Sequence, residues 1–175
     1  MSIRWLTPLM AAVGIAAGLT TTSALALDSD ARQPIRVSAG QLQLDDRNGS
    51  AIYSGTVHIE QGSMKLDADQ VVLTRSAAGG LSTMRATGKG KRAYIEQKPS
   101  PQEGLVKGWG DTIVYSADSR KVELIGHAEL HRGTDTFTGA YVQYFMNTRQ
   151  VQAQGAGKNN TGNGRIEMTI SPDAR

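Results

Sequence analysis

Few residues in this chain are equipped for chemistry: there are three histidines and no cysteine among 175 residues. His127 and His131 flank Glu129, a spacing that on a helix would aim two imidazoles at one metal ion. On a strand, at about 3.3 Å per residue, the same spacing separates them by about 13 Å on an outward face. Asp67 and Asp69 would lie about 7 Å apart on one strand face, a separation that a pair of catalytic carboxylates could use. The competing reading gives Asp69 a structural task, capping free backbone amides where the strand is irregular. Gly88-Lys89-Gly90-Lys91-Arg92 is a basic turn that could meet phosphate groups, but it lacks the strand and helix that flank a phosphate loop. No serine or threonine sits in a nucleophile elbow, and Asn159-Asn160-Thr161 is an isolated glycosylation sequon. No catalytic constellation emerges.

The elements that carry these residues read as strands. From Ala51 the odd positions Ala51, Tyr53, Gly55, Val57 and Ile59 are apolar or small, and the even ones are mostly polar, with Ile52 the exception. Period two marks a half-buried strand. Gln61-Gly62-Ser63 then turns the chain into a second strand carrying Met64 and Leu66. The same pattern returns at Val122, Leu124, Gly126, Ala128 and Leu130, followed by Arg132-Gly133-Thr134 and Phe137.

Two blocks therefore repeat without a gap. Val37 to Leu73 overlays Gly108 to Tyr144 at a shift of 71 (37 to 108), with three identities, Gly55 on Gly126, Gly62 on Gly133 and Val71 on Val142. In both copies the apolar phase slips within the second strand, from Leu66 and Ala68 to Val71 and Leu73, and from Phe137 and Gly139 to Val142 and Tyr144. A slip at small residues predicts a bulge where the strand bends. The element "small, x, x, apolar, x, apolar" occurs at Ala39 to Leu44, Ala68 to Leu73, Gly110 to Tyr115 and Gly139 to Tyr144, read as structural rungs. Further strands are expected at Ile35 to Ser38, Leu81 to Thr87, Ala93 to Lys98, Leu105 to Tyr115 and Val151 to Gln154. Pro99 to Gly104 is expected as an exposed loop. Gly155 to Gly164 reads as a polar leash before a possible extra strand at 165–170, which could fray or pair with a partner's edge.

Residues 1–26 combine Arg4, an apolar run from Trp5 to Leu19 and Ala24-Leu25-Ala26, predicting a cleavable secretory signal rather than a retained anchor. The remaining 149 residues (175 less 26) suffice for one domain with its own core, over 27–155, followed by a tail over 156–175. A formal charge of +3 for the whole chain, with no basic run interleaved with aromatics, argues against a nucleic-acid partner.

The run Tyr53-Ser54-Gly55-Thr56-Val57-His58-Ile59-Glu60-Gln61-Gly62, followed by Ala68-Asp69-Gln70-Val71-Val72-Leu73-Thr74-Arg75, closely resembles the OstA-like family of lipopolysaccharide-export proteins. Gln33-Pro34-Ile35, the Gly-x-Gly-Lys turn before Ala93 and Val122 to Gly126 are also similar, so the resemblance spans roughly Gln33 to Gly155. It implies an all-β fold: a twisted open β-jellyroll of two packed antiparallel sheets, here built from two tandem strand repeats, enclosing an apolar groove for acyl chains. It further implies a periplasmic location, no catalysis and no cofactor. The implied partners are lipopolysaccharide, an LptC-like inner-membrane protein, an LptD-like outer-membrane protein and further copies of the chain, joined head to tail. The ends of this chain, with a signal and no barrel, fit the soluble bridging member.

Alternation and the phase slips nominate inward residues: Ile35, Val37, Leu42, Leu44, Tyr53, Val57, Ile59, Leu66, Val71, Leu73, Ile95, Ile113, Tyr115, Leu124, Leu130, Phe137, Val142 and Tyr144. Under the resemblance these are the candidates for lipid contact; taken singly, each also reads as ordinary core. An envelope scaffold with a fully packed interior fits the repeat equally well. A carbohydrate-active enzyme would need acids and aromatics clustered on one face, which the sequence does not supply.

Overall fold

A computed structural model describes residues 30, 33–100, 103–156 and 165–170. The 1–26 segment and most of the 155–164 leash lie outside the described residues. Twelve strands are formed among the described residues: β1 (Arg36–Ser38), β2 (Gln41–Asp45), β3 (Ser50–Gln61), β4 (Met64–Arg75), β5 (Leu81–Thr87), β6 (Ala93–Gln97), β7 (Val106–Gly110), β8 (Thr112–Ser116), β9 (Lys121–Arg132), β10 (Asp135–Phe145), β11 (Gln150–Gln154) and β12 (Glu167–Thr169). The offset of 71 carries both ends of β2 onto β8 and both ends of β3 onto β9. It also carries the positive-φ residues Gly49, Gly55, Thr56 and Gly62 onto Arg120, Gly126, His127 and Gly133, so the repeat is one of backbone geometry.

The phase slips mark the places where long strands pass between two layers. Ser54 pairs with Gln70 and Val57 with Ala68, so two residues, Gly55 and Thr56, oppose Asp69 alone; Gly126 and His127 oppose Ala140 in the same way. These bulges insert their extra residue on β3 and β9, opposite the slips in β4 and β10. Gly55 adopts φ 82° and Gly126 φ 73°, a left-handed conformation that glycine accepts without a Cβ penalty. Each long strand is split at its bulge between two sets of neighbours. One layer runs β2, β3, β4, β5, β8, β9, β10, β11, using the ends of the long strands around residues 50–54, 70–75, 121–125 and 141–145. The other runs β1, β3, β4, β6, β7, β9, β10, β12, using 58–61, 64–67, 129–132 and 135–138. The four sequence rungs are thus corners, at which the chain crosses from the second layer into the first.

The stretch expected as one strand from Leu105 to Tyr115 is two, β7 and β8, because Gly110 and Asp111 form such a corner. Asp111 donates its backbone N–H to Gly126 O at 2.9 Å, tying this corner to the β9 bulge. Polar contacts reinforce the same edge. The Asp69 carboxylate accepts the Lys89 backbone N–H, the amide-capping task foreseen for it. Asp111 Oδ2 lies 2.8 Å from His127 Nδ1, and Arg92 reaches both His127 O at 2.9 Å and Glu129 at 2.8 Å. His127 therefore belongs to the corner and does not share a regular strand face with His131, which pairs with Glu129 at 2.7 Å.

Between the layers the inward residues pack into one cluster. Ile59, Leu66, Met84, Ile113 and Leu124 are fully covered. Burial of each such side chain contributes about 1.5–3 kcal/mol. The corners close one long side of this sandwich. Along the opposite side, where the strands end in turns, no backbone hydrogen bond joins the layers among the described residues, and depressions follow this seam.

An apolar groove along the open seam

The candidate residues divide by depth. Val57, Ile59, Leu66, Ile113 and Leu124 are closed core, as are Val71 and Val142; Leu130 is as well covered but borders a cleft, and Phe137 is nearly covered beneath Arg132, whose guanidinium lies 5.7 Å from the ring centroid. Ile35, Val37, Tyr53, Leu73, Ile95, Tyr115 and Tyr144 instead line depressions that follow the seam. Ile35, Val37, Ala51, Tyr53, Leu73 and Leu81 form its first section. Ile35 and Leu81 continue into a wider middle of about 440 Å³, where Met64, Tyr115, Ala117 and Met146 face the polar side chains of Asp30, Gln33, Gln61, Gln97 and Arg120. Gln97 and Met146 in turn border a narrow apolar cleft of about 20 Å³, completed by Ile95, Pro99, Val106, Gly108, Val122, Leu130 and Tyr144. Shared lining residues link the three sections into one path from the first strands towards the last.

Leu42 and Leu44 depart from the expectation that they line an interior: they are 57% and 51% exposed. Their registers explain why. Leu42 lies opposite Tyr53 and Leu44 opposite Ala51, so both stand on the inward face of the sheet. β2 is the edge strand of its layer, however, and β1 in the facing layer is only three residues long. At the other end Met168 pairs with Phe137, so the extra strand forms within the chain, and Ile166, Met168 and Ile170 are 53%, 52% and 66% exposed. The large exposed hydrophobics of the described residues thus gather at the two ends of the sandwich.

Sequence reasoning missed part of the lining. Met146 continues the alternation of Val142 and Tyr144 by one step, and Val122 is Ala51 displaced by 71; both signals were present. Leu81 opens β5 and carried no sign of depth. Pro99 and Ser100, expected in an exposed loop, are buried, and Pro99 walls the cleft. Its ring is apolar and brings no N–H that would need a partner, which suits that place.

The cleft between Ile95 and Tyr144 holds no charged side chain. Burial pushes the Tyr115 and Tyr144 phenols above their ordinary range, so both stay protonated at any physiological pH. Charged side chains border the wider sections: Asp30 and Arg120 line the middle and Arg75 the first. Asp30 accepts from the Ser63 backbone N–H at 3.0 Å, and Arg149 pairs with Glu103 at 2.6 Å. Among the described residues no three His, Cys, Asp or Glu side chains converge on a metal position.

Together the fold and this site define a class: an open-seamed β-jellyroll of two antiparallel layers around an apolar groove. Residues 36–150 match the family model described as LptA/LptD N-terminal domain lipopolysaccharide transport protein, and the chain belongs to that family. Over 172 residues it is 38% identical to the lipopolysaccharide export system protein LptH of Pseudomonas aeruginosa, covering 97% of each chain. It is 29% identical over 130 residues to LptA of Escherichia coli K12, covering 74% of this chain and 69% of that one. A crystal structure of P. aeruginosa LptH, described as the LptA-homologous periplasmic component of the lipopolysaccharide transport device, superposes with a TM-score of 0.74. That match covers 82% of this chain and 99% of LptH.

Proposed function

We propose that this chain is a periplasmic carrier that takes lipopolysaccharide from the inner towards the outer membrane, holding its acyl chains in the seam groove and working without catalysis. The observation that carries this reading is the row of linked depressions along the seam, with apolar wall residues in every section, from Ile35 and Leu81 through Tyr115 to Ile95 and Tyr144. A packed scaffold has no use for such an opening. Exposing one methylene to water costs about 0.8 kcal/mol, so a 12-carbon chain would cost on the order of 10 kcal/mol. An amphiphile of that kind does not cross an aqueous compartment alone. The names of the relatives as lipopolysaccharide export proteins support the same ligand.

The exposed apolar ends support head-to-tail assembly. β1 and β2 leave unpaired edges at one end, and β11 with the short β12 does so at the other. Pairing unlike ends is heterologous and non-closing, which extends the groove from copy to copy. The same edges would receive an LptC-like domain on the inner side and an LptD-like domain on the outer side.

Photocrosslinking residues placed at Leu81, Tyr115 and Ile95 test the groove. Lipopolysaccharide adducts are expected at all three and none at Lys107, which pairs across to Glu96 on the outer face. Absence of adducts at the three seam positions, or equal labelling at Lys107, would overturn the reading.

A further inference from the structure

Two residues that line the seam cleft each carry a buried polar atom with nothing to bond. Gln97 is 8% and Tyr144 2% exposed, and Gln97 Oε1 and the Tyr144 hydroxyl have no hydrogen-bond partner. All the other residues around this cleft are apolar or glycine. The two groups enter from opposite layers. Gln97 ends β6 at the third inward step after Ala93 and Ile95, and it pairs with Val106 of β7. Tyr144 comes from β10, between Val122 and Val151. An unpaired acceptor and an unpaired hydroxyl in apolar surroundings are unfavourable until a ligand supplies the complements.

We infer that Gln97 and Tyr144 form a polar reading point inside the groove that selects acyl chains bearing a group able both to donate and to accept, such as a chain hydroxyl, over plain hydrocarbon. The amide oxygen of Gln97 accepts the ligand's O–H, and the Tyr144 phenol donates to the ligand oxygen. This rests on the acyl-chain reading of the groove and deepens it, because apolar walls alone measure length and bulk. Recognition of a hydroxyl by buried groups that would otherwise stay unpaired is also the more discriminating arrangement. A hydrocarbon pocket rejects a misfit weakly, whereas an unmade buried hydrogen bond is felt in full.

The test is competition of 3-hydroxydodecanoate and dodecanoate, below their micelle concentrations, against a dansyl-labelled dodecanoyl probe bound to the full chain. One satisfied hydrogen bond predicts that the wild type prefers the hydroxylated chain by roughly five- to tenfold. Tyr144→Phe and Gln97→Met should each reduce that preference to within about twofold, by weakening 3-hydroxydodecanoate more than dodecanoate. Both variants remove an unsatisfied polar atom at nearly constant shape, so each should melt at or above the wild-type temperature without ligand. Equal displacement by the two acids in the wild type would overturn the polar reading and leave the groove standing. Displacement by neither would overturn both. Variants that melt lower and weaken both acids alike would show a purely structural pair, contradicting the inference.

Discussion

Single residues here act mainly on the backbone beside them. His58 is the clearest titratable case. Its Nδ1 lies 2.7 Å from Asp67 Oδ1 and its Nε2 3.2 Å from Glu60 Oε1, and these contacts, that with Asp67 foremost, raise the imidazole above its ordinary 6.5. The folded state then holds the proton more tightly than the unfolded chain, so the contribution is full below pH 6.5 and is lost as pH rises through the raised value. With two-fifths of the side chain exposed, it is screened to at most about 1 kcal/mol. Thermal melts from pH 5.5 to 8.5 should show wild type exceeding His58→Gln on the acid side, by at most about 2–4 °C, and the gap closing towards pH 8.5. A gap that widens with pH would contradict the sign. Residue types also misled where depth mattered. Alternation places Ile59 and Tyr115 on the same side of their sheets but does not say that one is closed core and the other groove wall. Gln97 was invisible for the opposite reason, since a polar residue at an inward position reads as an outward one.

At the scale of elements, the sequence showed most of what the structure holds. The limits of β2 recur in β8 and those of β3 in β9, and glycine recurs at the bulge, Gly55 and Gly126, and at the hairpin turn, Gly62 and Gly133. The corners were legible as phase slips, although the extra residue sits on the facing strand, where Gly55 and Gly126 preserve the alternation and hide it. The Gly126 bulge offers a quantitative check. A Cβ there would stand 2.3 Å from Asp111 Oδ2, in addition to the strain of φ 73°, whereas Gly90 has φ 83° with no atom within 4 Å of such a Cβ. Gly90→Ala should therefore cost about 1–2 kcal/mol for the left-handed backbone alone. Gly126→Ala should cost more by a further kcal/mol or so as Asp111 is displaced from His127. Urea unfolding midpoints measure both. Equal losses would mean that Asp111 does not hold this corner. Pro99 escaped because proline-rich connections usually run over the surface. Here Pro99, two residues past β6, walls the seam cleft, where an apolar ring is useful.

In the whole molecule, linked depressions with apolar wall residues follow the seam of a sandwich left unfinished at both ends. Leu42 and Leu44 at the first end, and Ile166, Met168 and Ile170 at the last, leave apolar surface that a second copy would cover. A capped protein of this size would not leave its large exposed hydrophobics at its two sheet edges. Lipid held in the groove of one copy should accordingly pass into the next through the junction of unlike ends. The most direct measurement mixes a donor copy loaded with lipopolysaccharide and an empty acceptor copy carrying a photocrosslinker at Tyr115. Every junction of unlike ends needs a first end, so Leu42→Lys with Leu44→Lys in both copies blocks them all. Acceptor adducts that form with the wild-type ends and disappear with the blocked ends are the predicted result. Adducts that form equally with blocked ends, or that never form on the acceptor, would contradict the account.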